Sequence, residues 1–317
     1  MPVACETTDY WTCLVKGRYG ACCWGRRQSK ARIMITAILY HANCPDGFAA
    51  AWVAKNAGIS APVFVPVSHG IACPDLPEGV SEIYLLDFAY PVAVLNDLAS
   101  KVKRLIVLDH HQTAIDHFAA VDRGDCGEAL ASNIDLVLDC ERSGAGITWD
   151  YFHPGQPRPH LVNYVEDGDL WRFRHPDSKT VGAFVRTLPH EFAAWDDANL
   201  LSVADMCSAG LGAVAHIEAY VRASTQHAYW CEMGDRSFPI VNVTYESCSE
   251  VANALLDQHD TDMAGYYFRR GDGTWQYGFR SRNGVTVHDF ATQFGGGGHP
   301  QASGCVTPEI THRRCST

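Results

Sequence analysis

Short apolar runs alternate with helix-like patterns along the first part of the chain. Residues 35–40, ITAILY, form an apolar run typical of buried strands, and the turn-rich stretch HANCPDG follows it. The stretch FAAAWVAKNAG then has the composition of a helix that ends at Gly58. A further helix is predicted to begin near Pro91. Three more runs have strand length, and they cover residues 63–67, 83–86 and 105–108. Alternating strands and helices predict the α/β class, with a parallel sheet that carries helices on both faces.

A second and smaller α/β unit is predicted at the carboxyl end. Strand-like runs cover residues 237–243, 263–269 and 275–280, and a helix is expected between the first two. A short helix over residues 287–294 precedes the glycine-rich segment GGGGHPQASG. A helical stretch near residues 210–230 would connect the two units. The expected organisation is a catalytic domain over 34–208, a helical linker over 209–236 and a substrate-binding domain over 237–317.

The first 33 residues differ from the rest of the chain in charge and in pattern. They carry six Lys or Arg against two acidic residues, a balance of +4, although the whole chain has a net charge of −11. They show no clear periodicity and lack the apolar region of a secretory signal. We predict that residues 1–33 form a disordered leader.

The charge of the remaining residues restricts the kind of partner. Their balance of −15 is poorly suited to holding long nucleic acids by nonspecific attraction. It suits a pocket for a small charged ligand, where bound cations offset the acidic groups. No run of about 18 uncharged apolar residues occurs, so no membrane span is expected. The thirteen cysteines are scattered without a CxxC pair, which indicates reduced thiols in a cytoplasmic protein.

Side chains that can bind metals follow the predicted strands of the first domain. The carboxyl ends of parallel strands share one edge of a sheet, so these groups are expected to converge there. Carboxylates and neutral imidazoles suit Mn²⁺, Zn²⁺ or Fe²⁺. The candidates are His41, Asp46, Asp87, Asp109, His110 and His111.

Each group taken alone has a simpler explanation. The three residues of Asp-His-His would fit a surface turn, and Asp87 before Pro91 would fit a helix N-cap. Asp46 would fit a Pro-Asp-Gly turn, and the acids of NYVEDGDLWRF would fit a solvated loop. Only their common arrangement along the chain favours a metal site.

Four motifs in this order resemble those of the DHH phosphoesterases. HANCPDGFAAAW is similar to the first motif of that family, LLD to the second, DHH to the third and EDGDLW to the fourth. The segment FRSRNGVTVHDFATQFGGGGHPQASG resembles the DHH-associated domain of the compact members, the nanoRNases and bisphosphate nucleotide phosphatases. Together the motifs span roughly residues 34–310.

The resemblance implies two bound Mn²⁺ ions, with Mg²⁺ or Co²⁺ as substitutes, and Asp87 as the bridge between them. His111 would stabilise phosphate charge or donate a proton to the leaving oxygen, and Asp109 would orient the histidines. Two cations would lower the pKa of a water, so that hydroxide attacks phosphorus in line. The implied metal ligands are His41, Asp46, Asp87, His110 and Asp167.

Two positions of these motifs leave alternatives open. The family has two aspartates spaced by one residue after the first motif's histidine, whereas Ala-Asn-Cys-Pro separates His41 from Asp46 here. Either Asn43 or Cys44 replaces the missing carboxylate, or one ion is held weakly. In the fourth motif, both Asp167 and Asp169 could be the ligand, and Asp167 is preferred.

The glycine-rich segment at the carboxyl end is predicted to bind the substrate. Successive glycines let backbone N–H groups approach an anion, and Arg280 with His299 would hold a terminal phosphate or a base edge. No GK[ST] follows the glycines, so they do not form an NTP-binding P-loop. The expected substrate-binding group is Arg280, Ser281, Gly296, Gly297, Gly298 and His299.

The resemblance makes hydrolysis of small nucleotide phosphoesters the leading function. Short oligoribonucleotides are the favoured substrate, and 3′-phosphoadenosine 5′-phosphate and cyclic dinucleotides stay open. No long duplex nucleic acid is expected as a partner, and a homodimer is left open. A function of another class, a non-catalytic nucleotide-binding module, is favoured only by the missing carboxylate of the first motif.

Overall fold

The computed structural model describes residues 34–68 and 71–315 of the chain. The predicted leader, residues 1–33, therefore lies outside the described residues. Across the part of the chain that is described, no helix combines the length and the apolar character needed to cross a membrane.

The first domain contains a five-stranded parallel sheet. Its elements in chain order are β1 (Ile35–His41), α1 (Pro45–Asn56), β2 (Pro62–Val67), β3 (Val80–Leu86), α2 (Val92–Lys101), β4 (Arg104–Asp109), α3 (Gln112–Arg123), β5 (Ile134–Leu138), α4 (Gly144–Phe152), α5 (His160–Asp169), α6 (Ser178–Thr187) and α7 (Phe192–Asn199). The strand order is β2-β1-β3-β4-β5, and neighbouring strands run parallel.

Alternate residues of the central strands enter two separate cores. Ile38 and Leu86 pack with α1, α4 and α5 on one face of the sheet. Leu39 and Leu85 pack with α2 and α3 on the other face. Strands that are buried on both faces read as continuous apolar runs, which is why their positions could be predicted. The predicted class, a parallel sheet with helices on both faces, is confirmed.

The strand order creates a crevice at the carboxyl ends of β1 and β3. These two strands are neighbours, with Tyr40 opposite Leu86, although β2 separates them in the sequence. The connections after them therefore leave toward opposite sides of the sheet, and ligands of open α/β sheets bind at such a point. His41 and Asp87 are the next residues along each strand, so they lie at this crevice.

The second domain is a mixed sheet reached through a long helix. Its elements are α8 (Val203–Thr225), β6 (Tyr229–Met233), β7 (Arg236–Asn242), α9 (Cys248–Gln258), β8 (Met263–Arg269), β9 (Trp275–Ser281), α10 (His288–Thr292), β10 (Gly297–His299), β11 (Ala302–Thr307) and β12 (Arg313–Arg314). The strand order is β10-β11-β9-β8-β7-β6-β12, with β7 and β8 parallel. This smaller α/β domain also confirms the predicted fold.

The predicted linker over 209–236 differs from the structure at both ends. The connecting helix α8 already begins at Val203, and residues 229–233 belong to the second sheet as β6. Cys231 and Met233 are buried and alternate with the more exposed Trp230 and Glu232, which is the period of a strand. Five residues are too few for this alternation to stand out beside a long helix.

Candidate metal centre

The carboxyl ends of β1, β3 and β4 help bring three carboxylates and two imidazoles together. His110 Nε2 lies 3.1 Å from Asp87 Oδ1 and 3.8 Å from Asp46 Oδ2. The same nitrogen lies 3.6 Å from Asp169 Oδ2. His41 Nδ1 lies 3.2 Å from Asp87 Oδ2. Asp87 therefore has one imidazole beside each of its two oxygens.

This group has a buried part, here called the floor (Asp46, Asp87 and His110), and a partly exposed part, here called the rim (His41 and Asp169). The side chains of Asp46, Asp87 and His110 are at most 2% exposed. Those of His41 and Asp169 are 20% and 27% exposed. Buried charges destabilise a protein unless they are paired, so the floor is where a cation would stabilise the fold most. The exposed rim leaves the group open to a ligand from solvent.

Asp87 is a buried anion whose Oδ1 is ion-paired with His110 but has no hydrogen bond among the described residues. Its backbone is left-handed, with φ at 63°, a conformation that aspartate tolerates better than most residues. Burial raises its pKa, but the interactions with His110 and His41 outweigh burial and hold the pKa well below its usual range. Although Oδ1 lies near His110, it accepts no hydrogen bond from any described residue.

Asp46 is fixed by the amino terminus of α4. It accepts hydrogen bonds from the N–H groups of Gly144 at 2.6 Å and Ala145 at 3.1 Å. Residue 144 must be glycine, because an added Cβ would lie 2.5 Å from Asp87 Cβ. Burial, followed by the charge of Asp87, raises the pKa of Asp46 well above its usual range.

The sequence analysis missed the contact between Asp46 and α4. Its local signal is the stretch Ser-Gly-Ala-Gly at residues 143–146, where Ser143 is the N-cap and accepts a hydrogen bond from Gly146 N–H. A glycine in the first turn of a helix leaves room for another chain segment to approach the helix terminus.

Asp109 holds the pair of histidines. Its Oδ1 accepts hydrogen bonds from His110 N–H at 2.8 Å and from His111 Nδ1 at 2.7 Å. Burial favours a neutral His110, but the contact with Asp87 and the nearby carboxylate charges raise its pKa to about 10. Asp109 likewise raises the pKa of His111 against the effect of burial. The His110 ring is therefore cationic at neutral pH, and its proton partly offsets the carboxylates.

The structure does not bring Asp167 to this group, and Asp169 lies there instead. The two oxygens of Asp167 accept hydrogen bonds from the backbone N–H groups of Arg174 and His175, at 2.9 and 3.1 Å. The acids belong to helix α5 rather than to a loop. Two residues along a helix are about 200° apart, so Asp167 and Asp169 point to opposite sides. Asp169 therefore replaces Asp167 as the candidate ligand.

His299 of the second domain lies against the histidine pair of the first. Its ring centroid is 4.9 Å from that of His110 and 5.1 Å from that of His111. Burial, helped by the charges of these histidines, lowers the pKa of His299 to about 3, so its ring is neutral. His299 therefore belongs to the centre itself, whereas the sequence analysis assigned it to a separate grip on the substrate.

The glycine run brings the two domains into contact. Gly298 N–H donates a hydrogen bond to Thr113 Oγ1 at 2.9 Å, and a Cβ on Gly297 would lie 2.6 Å from that hydroxyl oxygen. Gly298 has φ at 136°, which other residues rarely adopt. A Cβ on Gly296 would lie 2.0 Å from Gly304 O. The Gly298 N–H is therefore used between domains, rather than being offered to an anion as predicted.

Arg280 and Ser281 have different surroundings. Arg280 donates a hydrogen bond to Ser249 Oγ at 2.5 Å and lies 5.8 Å from the ring centroid of Tyr266. It is half-buried and stays a candidate for binding a substrate phosphate. Ser281 is 6% exposed, and its hydroxyl donates to Val285 O at 2.6 Å. Ser281 therefore stabilises its own turn and leaves the predicted substrate-binding group.

The carboxyl-terminal sequence matches a known family. Residues 239–313 match the DHHA1 domain. This part of the chain is a DHHA1 domain. The match contains the glycine run and His299, and it confirms at this end the resemblance to DHH proteins that carry a DHH-associated domain.

Relatives resemble the chain beyond the DHHA1 domain. Uncharacterized protein R106 of Acanthamoeba polyphaga mimivirus is 27% identical over 304 residues, which cover 85% of this chain and 67% of that protein. Among solved structures, an exopolyphosphatase-related protein from Bacteroides fragilis is 11% identical over 86% of both chains, with a TM-score of 0.49. RecJ from Thermus thermophilus, solved in complex with Mn²⁺, is 13% identical over 87% of this chain and 50% of its own, with a TM-score of 0.46. The chemistry of this chain therefore has to be argued from its own residues.

The donor atoms are of the kinds that bind a divalent cation. Two of the groups that could hold one are His41, Cys44 and Asp87, and Asp46, His110 and Asp169, and the ligand atoms of each group lie within 4.8 Å of one another. A cation would satisfy the free oxygen of Asp87 and would relieve the repulsion that raises the pKa of Asp46. It would also take the place of the proton on His110, since a ligating histidine must be neutral.

An isosteric pair of substitutions tests the exchange of Asp167 for Asp169. Asp169→Asn should weaken Mn²⁺ binding by more than about 10-fold. Residues that only hydrogen-bond to metal ligands already contribute about 10- to 100-fold to metal affinity, and a ligand should contribute at least as much. Asp167→Asn should leave Mn²⁺ affinity near wild type and lower the free energy of unfolding by about 1.5–3 kcal/mol, because charge-assisted hydrogen bonds are lost. Calorimetric Mn²⁺ titration and urea denaturation measure the two effects. The opposite pattern would restore Asp167 as the ligand.

Proposed function

We propose that this chain is a divalent-metal-dependent phosphoesterase of the DHH type that hydrolyses small nucleotide phosphoesters, with short oligoribonucleotides as the favoured substrate. The convergence of three aspartates and two histidines at the crevice between β1 and β3 carries this proposal. Two Mn²⁺ ions are the proposed content, with Mg²⁺ or Co²⁺ as substitutes. Bound cations would lower the pKa of an attacking water and neutralise charge at phosphorus.

Proton donation and contact with the phosphate are proposed for two histidines of the chain. His111 is held at Nδ1 by Asp109, which raises its pKa and favours the protonated form, so it is suited to give a proton to the leaving oxygen. His299 is neutral and lies stacked on His111. It can donate a hydrogen bond to a phosphate oxygen without adding another charge, and it excludes water from one side of the centre. This arrangement makes the DHHA1 domain part of the reacting centre.

The second domain offers features that suit a nucleotide. A pocket of about 480 Å³ is lined by three aromatic rings and by polar groups, among them Tyr220, Tyr245, Phe268, Asn242 and Arg269. Tyr245 is 70% exposed, and exposed aromatic rings stack on nucleobases with little sequence preference. The loop that carries Tyr245 leads into α9, whose Ser249 accepts the hydrogen bond from Arg280. These features support a nucleotide over a simple phosphate ester.

A hydrolysis panel in the presence of Mn²⁺ tests the proposed function. The panel contains dinucleotides, pentanucleotides, 3′-phosphoadenosine 5′-phosphate and cyclic dinucleotides. We expect short oligoribonucleotides to be cleaved fastest, and we expect EDTA to abolish cleavage. Asp87→Asn should reduce kcat by orders of magnitude, because it removes the carboxylate charge that belongs to one set of ligands and lies beside His110 of the other. Mass spectrometry of the products and metal analysis of the protein are the measurements.

Two outcomes would contradict the proposal. Full hydrolysis by protein that EDTA has freed of metal would reject the metal-dependent reaction. Tight nucleotide binding without cleavage of any substrate, at full metal loading, would favour the non-catalytic binding module instead.

The pH dependence tests the role of His111. Because Asp109 raises the pKa of His111, Asp109→Asn should lower that pKa, and an adjacent charge typically accounts for about 1–3 units. A proton donor loses activity as pH rises through its pKa, so the alkaline limb of the kcat profile should move to lower pH. Asp122→Asn, the same charge change at an exposed position of α3, serves as the control and should leave the limb unchanged. An unshifted limb in Asp109→Asn would exclude His111 as the donor.

A further inference from the structure

Cys44 occupies an N-cap position without serving as a cap. It lies in the turn between β1 and α1, after Asn43, whose φ is 56°. Its carbonyl accepts the first hydrogen bond of α1, from Phe48 N–H, but its side chain makes no capping hydrogen bond. Its half-buried thiol is not part of a disulfide. Neither helix capping nor crosslinking accounts for a cysteine at this position.

The thiol of Cys44 faces a histidine and a carboxylate. Ligand atoms of His41, Cys44 and Asp87 all lie within 4.8 Å of one another. The three residues come from the ends of β1 and β3 and from the turn between β1 and α1, so the sheet crevice itself assembles them. Imidazole nitrogen, thiolate sulfur and carboxylate oxygen are each ligands that Zn²⁺ binds in proteins.

A second observation points to a cation beside the Asp87 carboxylate, whose Oδ2 lies toward His41 and whose Oδ1 lies toward His110. Asp87 is 1% exposed, and its Oδ1 accepts no hydrogen bond within the described residues. A buried and unsatisfied carboxylate oxygen is costly, and a bound cation removes that cost. The same carboxylate belongs to the Cys44 set and lies beside the set of Asp46, His110 and Asp169.

The two sets differ in ligand softness. Asp46, His110 and Asp169 offer only oxygen and nitrogen, which suit Mn²⁺ or Mg²⁺. The set with Cys44 adds sulfur, and thiolate ligands favour Zn²⁺ and similar soft ions over Mn²⁺. A cysteine here therefore changes the metal preference of one position and not of the other.

We propose that Cys44 is a metal ligand and that, with His41 and Asp87, it forms a metal position that favours thiophilic ions, here called the thiophilic position. The neighbouring position offers only oxygen and nitrogen ligands, from Asp46, His110 and Asp169. Binding at the thiophilic position forms a sulfur–metal bond, and the thiol proton passes to solvent. The inference rests on the proposed metal centre but not on the proposed reaction. The preference for Zn²⁺ over Mn²⁺ is therefore larger at the thiophilic position than at the other position.

Titration of the full chain with Co²⁺ tests this assignment. A thiolate ligand gives a near-ultraviolet sulfur-to-cobalt charge-transfer band, which oxygen and nitrogen ligands do not give. Wild type should develop this band with one equivalent of Co²⁺, whereas Cys44→Ser and Cys44→Asp should lack it. Cys73→Ser, which removes a half-buried thiol elsewhere, should keep the band. Thermal melting checks that each variant is folded.

Metal competition provides the second readout. Cys44→Ser should bind one Zn²⁺ more than about 100-fold more weakly than wild type. Residues that only hydrogen-bond to metal ligands contribute about 10- to 100-fold to metal affinity, and a ligand should contribute more. Cys44→Asp should retain two binding positions, but the preference for Zn²⁺ over Mn²⁺ at the substituted position should fall when the two ions compete at equal concentrations. Elemental analysis after dialysis measures both outcomes.

The possible results separate this inference from the reaction. A charge-transfer band that persists in folded Cys44→Ser, or wild type that binds two Co²⁺ without a band, would overturn the assignment of Cys44. A band that depends on Cys44, in protein that hydrolyses no phosphoester, would support the ligand and reject the reaction. Wild type that binds no metal would reject both.

Discussion

The charge of Asp87 has to be offset almost without help from water. Its carboxylate is 1% exposed, and His41 and His110 lie 3.2 and 3.1 Å from its two oxygens. Asp46 and Asp169 place two more carboxyl groups beside it, and the surrounding structure holds them there. The helix α4 donates two N–H groups to Asp46, and Asp109 holds the histidine pair. Divalent cations would satisfy this constraint more completely than the proton on His110 does.

The same constraint explains why the second domain reaches the centre. The glycine run allows β10 to approach α3 until the backbone of Gly298 bonds to Thr113, two residues after His111. That contact puts the neutral ring of His299 beside the cationic His110 and beside His111, whose pKa is raised. A charged side chain at this position would add repulsion, whereas a neutral imidazole covers the centre and still offers a hydrogen bond. On the proposed function, substrate binding and chemistry are therefore not divided cleanly between the domains.

Residues at strand ends could be predicted, but contacts between distant segments could not. The parallel sheet is visible in the sequence because strands buried on both faces read as apolar runs, and His41, Asp87 and His110 follow from their places after these strands. To predict Asp169 as the ligand, one must know which face of helix α5 points toward the site. A segment rich in acids and glycine does not reveal this face. The contact of Asp46 with Gly144 joins residues 98 positions apart, and that of Thr113 with Gly298 joins residues 185 apart. No local pattern encodes such pairs, because they depend on how packed elements meet.

Anomalous scattering from crystals grown with excess Mn²⁺ tests the central claim, that Asp87 lies between two cation positions. The account predicts two peaks on opposite sides of the Asp87 carboxylate. One peak should lie among His41, Cys44 and Asp87, and the other should be bound by Asp46, His110 and Asp169. Diffraction from crystals with both positions loaded, but with no anomalous peak within bonding distance of Asp87, would contradict the account.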